Sequence, residues 1–230
     1  MRKIKAVIFD FDGVIADTEE LHFNCLKSVL SKEGICIDRQ IYDQLYLALD
    51  DKNCFKEIFL RERLRKLTSK ELQNLVRQKA ELFRDQLENV KLFQGIREWL
   101  QKYSSEVSIS ICSGALREEI LSVLRLHSLL DYFSVVIASE DVQNSKPSPE
   151  GYLLALEKLK DAFNGHLSAS ECLVIEDSIA GIKAAKLAQM RCVAIANSYP
   201  KEKLSHADLV FDSISQLNLS MINDYFFSDE

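Results

Sequence analysis

Proline, glycine and tryptophan are scarce in this chain, at 3, 7 and 1 of 230 residues. No internal repeat or low-complexity linker is present. The length is enough to bury roughly 70% of the unfolded surface, as one large domain or a core plus a small one. Long apolar runs are missing too. No stretch approaches the ~20 apolar residues of a membrane span. The N-terminus runs straight into a strand pattern, so neither a membrane partner nor a signal peptide is expected, and the expected compartment is the cytoplasm. A basic stripe is also absent: Asp and Glu number 35 against 29 Lys and Arg, a formal net charge of -6, which argues against a nucleic-acid partner. The one local exception, Arg61, Arg63, Arg65 and Lys66 beside Glu57 and Glu62, reads as a solvated helix face. Six scattered cysteines (Cys25, Cys36, Cys54, Cys112, Cys172, Cys192) form no Cys-x-x-Cys pair and have no nearby histidine to complete a zinc site. They are expected to be reduced and structural.

What the chain does have is an apolar run that stops in acid. Val7-Ile8-Phe9 leads into Asp10-Phe11-Asp12-Gly13, and residues two apart on a strand project from the same face. Two ionised carboxylates ~4 Å apart repel by about 4 kcal/mol at an effective dielectric constant of ~20, so a fold that keeps both supplies a cation, a shared proton or a chemical task. The bland alternative is a strand ending in a polar turn at Gly13.

Three later segments bear on that choice. Ile109-Ser110-Ile111-Cys112-Ser113-Gly114 is a strand ending in a hydroxyl and a glycine, a pattern suited to holding phosphate on Ser113 and freed backbone N–H groups such as that of Gly114. In Lys146-Pro147-Ser148-Pro149 the prolines stiffen the loop that carries Lys146, which suits a point charge aimed at an anion. Leu173-Val174-Ile175-Glu176-Asp177 repeats the apolar strand ending in acids. Cys112 neighbours the Ser113 turn, but its apolar strand context favours an inert role.

Pattern switches organise the rest. After the first strand, residues 19 to 89 are helical in period with Gly34 as the one glycine. Leu21, Leu26, Val29 and Leu30, then Phe55, Ile58, Phe59 and Leu64, then Leu72, Leu75, Val76, Leu82 and Phe83 recur at helical spacing and read as core stripes. From Val90 helices and strands alternate, with strands expected near 107–112, 135–139, 172–176 and 192–196, and helices near 96–103, 116–127, 150–160 and 179–189. That alternation implies a parallel sheet covered on both faces, with ligands bound outside the carboxyl ends of its strands. Asp10, Ser113, Glu176 and Asp177 all stand at such ends.

The order and spacing of Asp10-x-Asp12-Gly13, strand-Ser113, Lys146-Pro147 and strand-Glu176-Asp177 resemble the haloacid dehalogenase superfamily of phosphoryl-transfer enzymes over essentially the whole chain. The run from Asp12 through Asp17-Thr18-Glu19, with His22-Phe23 after it, resembles the β-phosphoglucomutase and phosphoglycolate phosphatase group. That group places a small helical cap directly after the first motif. The resemblance implies an α/β fold: a Rossmann-like, doubly wound parallel-sheet core of residues 1–16 and 90–230, with an all-helical cap of residues 17–89. It implies that Asp10 is the nucleophile and Asp12 the general acid and base. Mg²⁺ would be held by Asp10, the Asp12 carbonyl and Asp177, with Glu176 behind them. Ser113, Gly114 and Lys146 would cradle the phosphoryl group.

The mutase resemblance implies that His22 supports Asp12 and cap closure and places it among the substrate-binding residues, whereas a lone helical histidine is more often a packing or surface residue; Asp17 is expected to cap or hinge the first cap helix, with direct catalysis as the alternative. Lys52, Lys79 and Arg117 are the remaining candidate substrate-binding groups. The stretch Leu47-Ala48-Leu49-Asp50-Asp51-Lys52 departs from the mutase pattern. It has no glycine, and Asp51 stands where a distal-phosphate arginine would align. Lys52 lacks the bidentate fork that would replace it. The expectation is therefore an Mg²⁺-dependent phosphatase for a small phosphorylated metabolite, such as a sugar phosphate or phosphoglycolate, acting through an aspartyl-phosphate. A β-phosphoglucomutase-like phosphohexomutase is the alternative enzyme, and a catalytically silent binding protein the remote one. A monomer is the expected state, a dimer the alternative. A dehalogenase would need neither Asp12 nor Asp177.

Overall fold

A computed structural model describes residues 3–47 and 49–228; Ala48, in the departing cap stretch, lies outside the described residues. Six strands form one wholly parallel sheet: β1 (Ala6–Phe9), β4 (Ser108–Cys112), β5 (Val135–Ile137), β6 (Cys172–Glu176), β7 (Arg191–Ile195) and β8 (Leu209–Phe211), in the order β5-β4-β1-β6-β7-β8. The fold is the expected α/β, Rossmann-like class. β1 is central, so both its faces are covered and all four of its residues are fully buried; this is why it reads as a continuous apolar run rather than an alternation.

The two sheet faces pack separate helix layers. Val7, Phe9, Ile109, Ile111, Leu173, Ile175, Val193 and Ile195 face one layer, with α5 (Ile96–Tyr103), α6 (Arg117–Leu126) and α9 (Leu219–Phe227). The alternate residues Ala6, Ile8, Val174, Cys192 and Ala194 meet α7 (Glu150–Lys160) and α8 (Ile179–Leu187). Phe9 lies edge-on to Trp99 at 5.1 Å between ring centroids and to Phe133 at 6.4 Å, an arrangement that anchors β1 by aromatic contact as well as buried area.

Between β1 and β4 the chain leaves the sheet and returns through a short antiparallel pair, β2 (Ala16–Asp17) with β3 (Lys91–Leu92). The segment so enclosed forms four helices: α1 (Glu19–Lys32), α2 (Arg39–Leu45), α3 (Asp51–Arg63) and α4 (Ser69–Arg84). They have their own core of Leu26, Val29, Leu30, Phe55, Ile58, Phe59 and Leu75. α4 starts with a Thr68/Glu71 capping box, in which each side chain satisfies the other residue's backbone N–H. Leu64 departs from its expected place in the apolar stripe. It follows the last residue of α3 in a left-handed conformation, φ 51°, and is 88% exposed. No helix among the described residues is long and apolar enough to cross a membrane.

Besides the two-residue β2 and β3, two elements have no counterpart in the expected pattern, the edge strand β8 and the C-terminal α9. β8 has three half-buried residues and α9 buries only Leu219 and Ile222. Both patterns are too short to stand out from a loop.

Candidate active site

Because the six strands are parallel, their carboxyl ends share one rim of the sheet, and the residues just past those ends converge on a cleft between the rim and the helical layer. Asp10, Asp12, Ser113, Gly114, Lys146 and Asp177 all line it. Asp10 N donates to Ile175 O at 2.9 Å, which continues the β1–β6 ladder one residue beyond the strand and sets Asp10 beside Asp177. Gly13, φ 79°, makes the bend that follows; a Cβ there would collide with the Asp177 carboxylate. Gly13 is therefore required twice, by its conformation and by the close approach of a carboxylate.

Lys146 is the charge partner of this cluster. Its Nζ lies 2.9 Å from Asp10 Oδ1 and 2.6 Å from Glu176 Oε1, and donates to Cys112 O at 3.0 Å. Glu176 is fully buried and all its acceptor capacity is used. Oε1 accepts from Lys146 and from Tyr152 Oη at 2.7 Å, and Oε2 accepts from Asp177 N, Ser178 N and Ser178 Oγ. Gly181 leaves the room for that carboxylate, since a Cβ would occupy its position. Burial pushes the Asp10 carboxyl up to about 7, against the opposing pull of Lys146, and burial with Glu176 and Asp10 pushes Asp177 well above the carboxylate range.

One oxygen from each of Asp10, Glu176 and Asp177 can be drawn from a group within 4.8 Å of one another. This crowding of hard oxygen donors, two of them held unfavourably as anions, fits a small divalent cation such as Mg²⁺. With Glu176 already saturated, Asp10 and Asp177 are the carboxylates free to bind it. Asp177 Oδ2 is oriented by the Ser198 hydroxyl. Cys112, by contrast, is held as a thiol pushed up to about 12 by burial, which suits the inert role expected of it.

Asp12 is held from the other direction. Thr18 Oγ1 donates to Asp12 Oδ1 at 2.5 Å, and His22 Nε2 lies 3.3 Å from the same atom. Thr18 stands at the N-cap position of α1 but makes no side-chain cap bond; its hydroxyl is turned to Asp12 instead. Asp17, the expected cap residue, is exposed and pairs with Lys91 across β2–β3. α4 presents Lys79 and Phe83 one turn apart on one face. Lys79 Nζ lies 2.7 Å from His22 Nδ1 and Phe83 stacks on the imidazole at 4.7 Å. With Lys79 donating to Nδ1, the proton resides on Nε2 and points at Asp12. Burial opposes ionisation of Asp12, but His22, Thr18 and Lys79 outweigh it and hold the carboxyl below its usual range.

Three candidate cations are not brought into the cleft. Lys79 is 2% exposed and its ammonium is taken by Asp51, at 2.5 Å, and by His22. Arg117 bonds Val136 O and Asp141. Lys52, half-buried in the first turn of α3, is not among the lining residues. Lysine and arginine positions on helices read alike in sequence, and only helix packing decides which way each points. The cleft instead receives Glu19, Tyr42, Asp50 and Asp51 from the helical layer and Glu119 from α6. Asp50 caps α3 by accepting from Asn53 N at 2.9 Å and also bonds Ser145, next to Lys146.

Thr18, Tyr152, Ser178 and Ser198 were not among the sequence candidates as supports of these carboxylates. Thr18 lies inside a run that carries the pattern and Ser178 directly follows one, which is the available signal; Tyr152 and Ser198 meet the site only through the fold.

Comparison with known proteins adds four likenesses. A family profile described as haloacid dehalogenase-like hydrolase matches residues 7–195. A Bacillus subtilis protein carrying a phosphatase name, YhcW, is 30% identical over 225 residues, covering 96% of this chain and 97% of its own. The Bacillus subtilis β-phosphoglucomutase is 29% identical over 225 residues, with 96% and 95% covered. The crystal structure of β-phosphoglucomutase from Clostridium difficile matches with a TM-score of 0.85 at 27% identity, over 98% of each chain.

Proposed function

The chain belongs to the haloacid dehalogenase-like hydrolases and is a phosphoric monoester hydrolase, and from that premise we propose that it is an Mg²⁺-dependent phosphatase of small sugar-phosphate-type monoesters, working through phosphorylated Asp10. Asp10 attacks phosphorus as the ester P–O bond breaks, and Asp12, whose protonated form the anionic ester beside it favours, delivers that proton to the departing alcohol oxygen. In the second half Asp12 takes a proton from water, which attacks phosphorus and releases Asp10. Thr18 and His22, both on one oxygen of Asp12, fix the direction of that proton traffic. Lys146, Ser113 and the backbone N–H groups at Gly114 offset charge on the phosphoryl oxygens. Bound Mg²⁺, held by Asp10, the Asp12 carbonyl and Asp177, would supply further charge neutralisation at the transferring group.

Residues 17–89 act as the cap over a core of residues 1–16 and 90–230, and the paired β2 and β3, where the chain crosses between the two, support that division.

Hydrolysis is favoured over mutase chemistry by one observation. Among the described residues that line the cleft, the cationic or basic ones are Lys146 and His22, both engaged at the reacting end, whereas the far end is acidic. A mutase must hold a bisphosphate by both ends. Following β-glucose 1-phosphate by ³¹P NMR tests the reading: inorganic phosphate is expected. Faster formation of glucose 6-phosphate, with or without added glucose 1,6-bisphosphate, would replace the phosphatase with a phosphohexomutase like the relative above.

A further inference from the structure

We infer that Ser198 is the positioning residue of the metal site: by holding Oδ2 of Asp177 it leaves that carboxylate one oxygen for the ion and so favours Mg²⁺ over Ca²⁺, an inference that rests on the metal reading above. The three acids of the site are held very unequally. Glu176 accepts from five donors, and Asp10 is paired with Lys146. Asp177 is 3% exposed, and among the described residues a single donor meets its carboxylate, the Ser198 hydroxyl on Oδ2.

The other side of that oxygen is closed by backbone. A Cβ on Gly13 would overlap Oδ2 and would also come within 2.8 Å of Ser198 Oγ, so Oδ2 lies wedged between the Gly13 turn and the hydroxyl. One loop fixes both jaws. Asn197 Nδ2 donates to Gly13 O at 2.7 Å, and the next residue, Ser198, reaches Asp177. The loop is itself tied to the sheet, with Ala196 N donating to Phe211 O at 2.9 Å and Asn197 N to Ile195 O at 2.9 Å. β7 lies beside β6 with Ala194 opposite Glu176, so the residues just past β7 arrive where Asp177 leaves β6.

A carboxylate held in this way is both turned and half occupied. Hydrogen bonds to metal-ligating carboxylates orient them, and losing such a partner typically costs about 10-fold to 100-fold in metal affinity. Mg²⁺ demands near-ideal octahedral geometry, whereas Ca²⁺ accepts more ligands and takes a carboxylate through one or both oxygens. With Oδ2 engaged, Asp177 offers one oxygen, which suits Mg²⁺ and denies Ca²⁺ a second bond. Released from the hydroxyl, Asp177 can turn and offer both.

Calorimetric titration of the whole protein with magnesium chloride and, separately, calcium chloride tests this in the native chain, Ser198→Ala and Ser198→Thr. Ser198→Ala is expected to raise the Mg²⁺ Kd by about 10-fold to 100-fold and the Ca²⁺ Kd by less, so that the preference for Mg²⁺ narrows. Ser198→Thr keeps the hydroxyl and should restore both. Tm with and without Mg²⁺ separates positioning from stability. A metal bound to the folded state raises Tm, so Ser198→Ala should shrink that rise and leave the metal-free Tm close to native; a residue with a structural role alone would lower both equally. Should Ser198→Ala fail to fold, Asn197→Ala, which frees the Gly13 side of the clamp, decides by the same ratio of Kd values. An unchanged Mg²⁺ affinity, or an equal loss for both ions, overturns the inference while the phosphatase reading, judged by product formation, stands. If the native chain binds neither ion, the metal reading and this inference fall together.

Discussion

The two ends of the cleft are built on opposite electrostatic plans. At the reacting end the charges are matched: Lys146 sits 2.9 Å from Asp10 and 2.6 Å from Glu176, and Glu176 has no acceptor capacity left over. At the far end carboxylates outnumber cations, and Glu19 and Glu119 each keep an oxygen without a partner. A matched, interlocked cluster holds reacting atoms in place at no cost in reorganisation. An unmatched wall of acids instead opposes a second anionic group, and so discriminates among ligands. On the proposed reading, the difference teaches that the chemistry rests on residues just past strand ends and on Lys146, and discrimination against a second phosphate on acids at helix starts.

The largest expected effect breaks the matched end. Asp10→Asn should lower turnover on the order of 10⁴-fold to 10⁶-fold and abolish covalent labelling by radioactive substrate; label retained without that carboxylate would mean another nucleophile. Chelating Mg²⁺ should take hydrolysis of p-nitrophenyl phosphate down to a similar floor. Ca²⁺, which takes more ligands in looser geometry, should inhibit rather than substitute. Full activity in excess chelator would contradict the metal assignment.

Asp12→Asn leaves the nucleophile intact and removes the proton relay, so a fall of about 10²-fold to 10⁴-fold is expected, with labelling of Asp10 still detectable. At the junction of the two ends, Lys79→Met should cost stability rather than chemistry alone. Removing one partner of a buried pair strands Asp51, and about 3–5 kcal/mol is expected in urea unfolding; a loss under about 1 kcal/mol would show that the pair is more solvated than its 2% exposure implies.

The smallest effect sharpens the comparison at one atom. In His22→Gln the Asp12 carboxyl, followed by NMR, should titrate at higher pH, because a group that holds it down has gone. The sign follows from linkage. A carboxyl held below its ordinary range adds stability that is present above that range and is lost as pH falls through the folded value; the variant forfeits part of that increment. An unchanged Asp12 titration would leave His22 with a packing role against Phe83.

Much of the reacting end is legible in the sequence for a specific reason. Asp10, Ser113, Glu176 and Asp177 each follow a short apolar run, and parallel strands must bring their carboxyl ends to one rim, so local pattern and topology together imply the meeting. Lys146 is legible because two prolines tie down its loop. The cations Lys52, Lys79 and Arg117 do not line the cleft, and their sequence positions do not reveal this because placement depends on helix rotation and on which acid each meets first. Asp51 meets Lys79, and Asp141 meets Arg117. Thr18 shows the same limit in miniature: its position marks an N-cap, yet its hydroxyl serves Asp12.

By itself, then, the sequence determined the sheet's central strands, the helical excursion between the first two of them, and the identity of the residues at the strand ends, because these depend on hydrophobic period and on chain order, both local quantities. Only the tertiary structure decided which charges are neutralised and which remain open. The pairing of Lys79 with Asp51 and His22, the saturation of Glu176, and the two unpartnered oxygens of Glu19 and Glu119 depend on distances between residues far apart in the chain. Coulomb interaction and desolvation act on those distances and on burial, and one-dimensional spacing encodes neither.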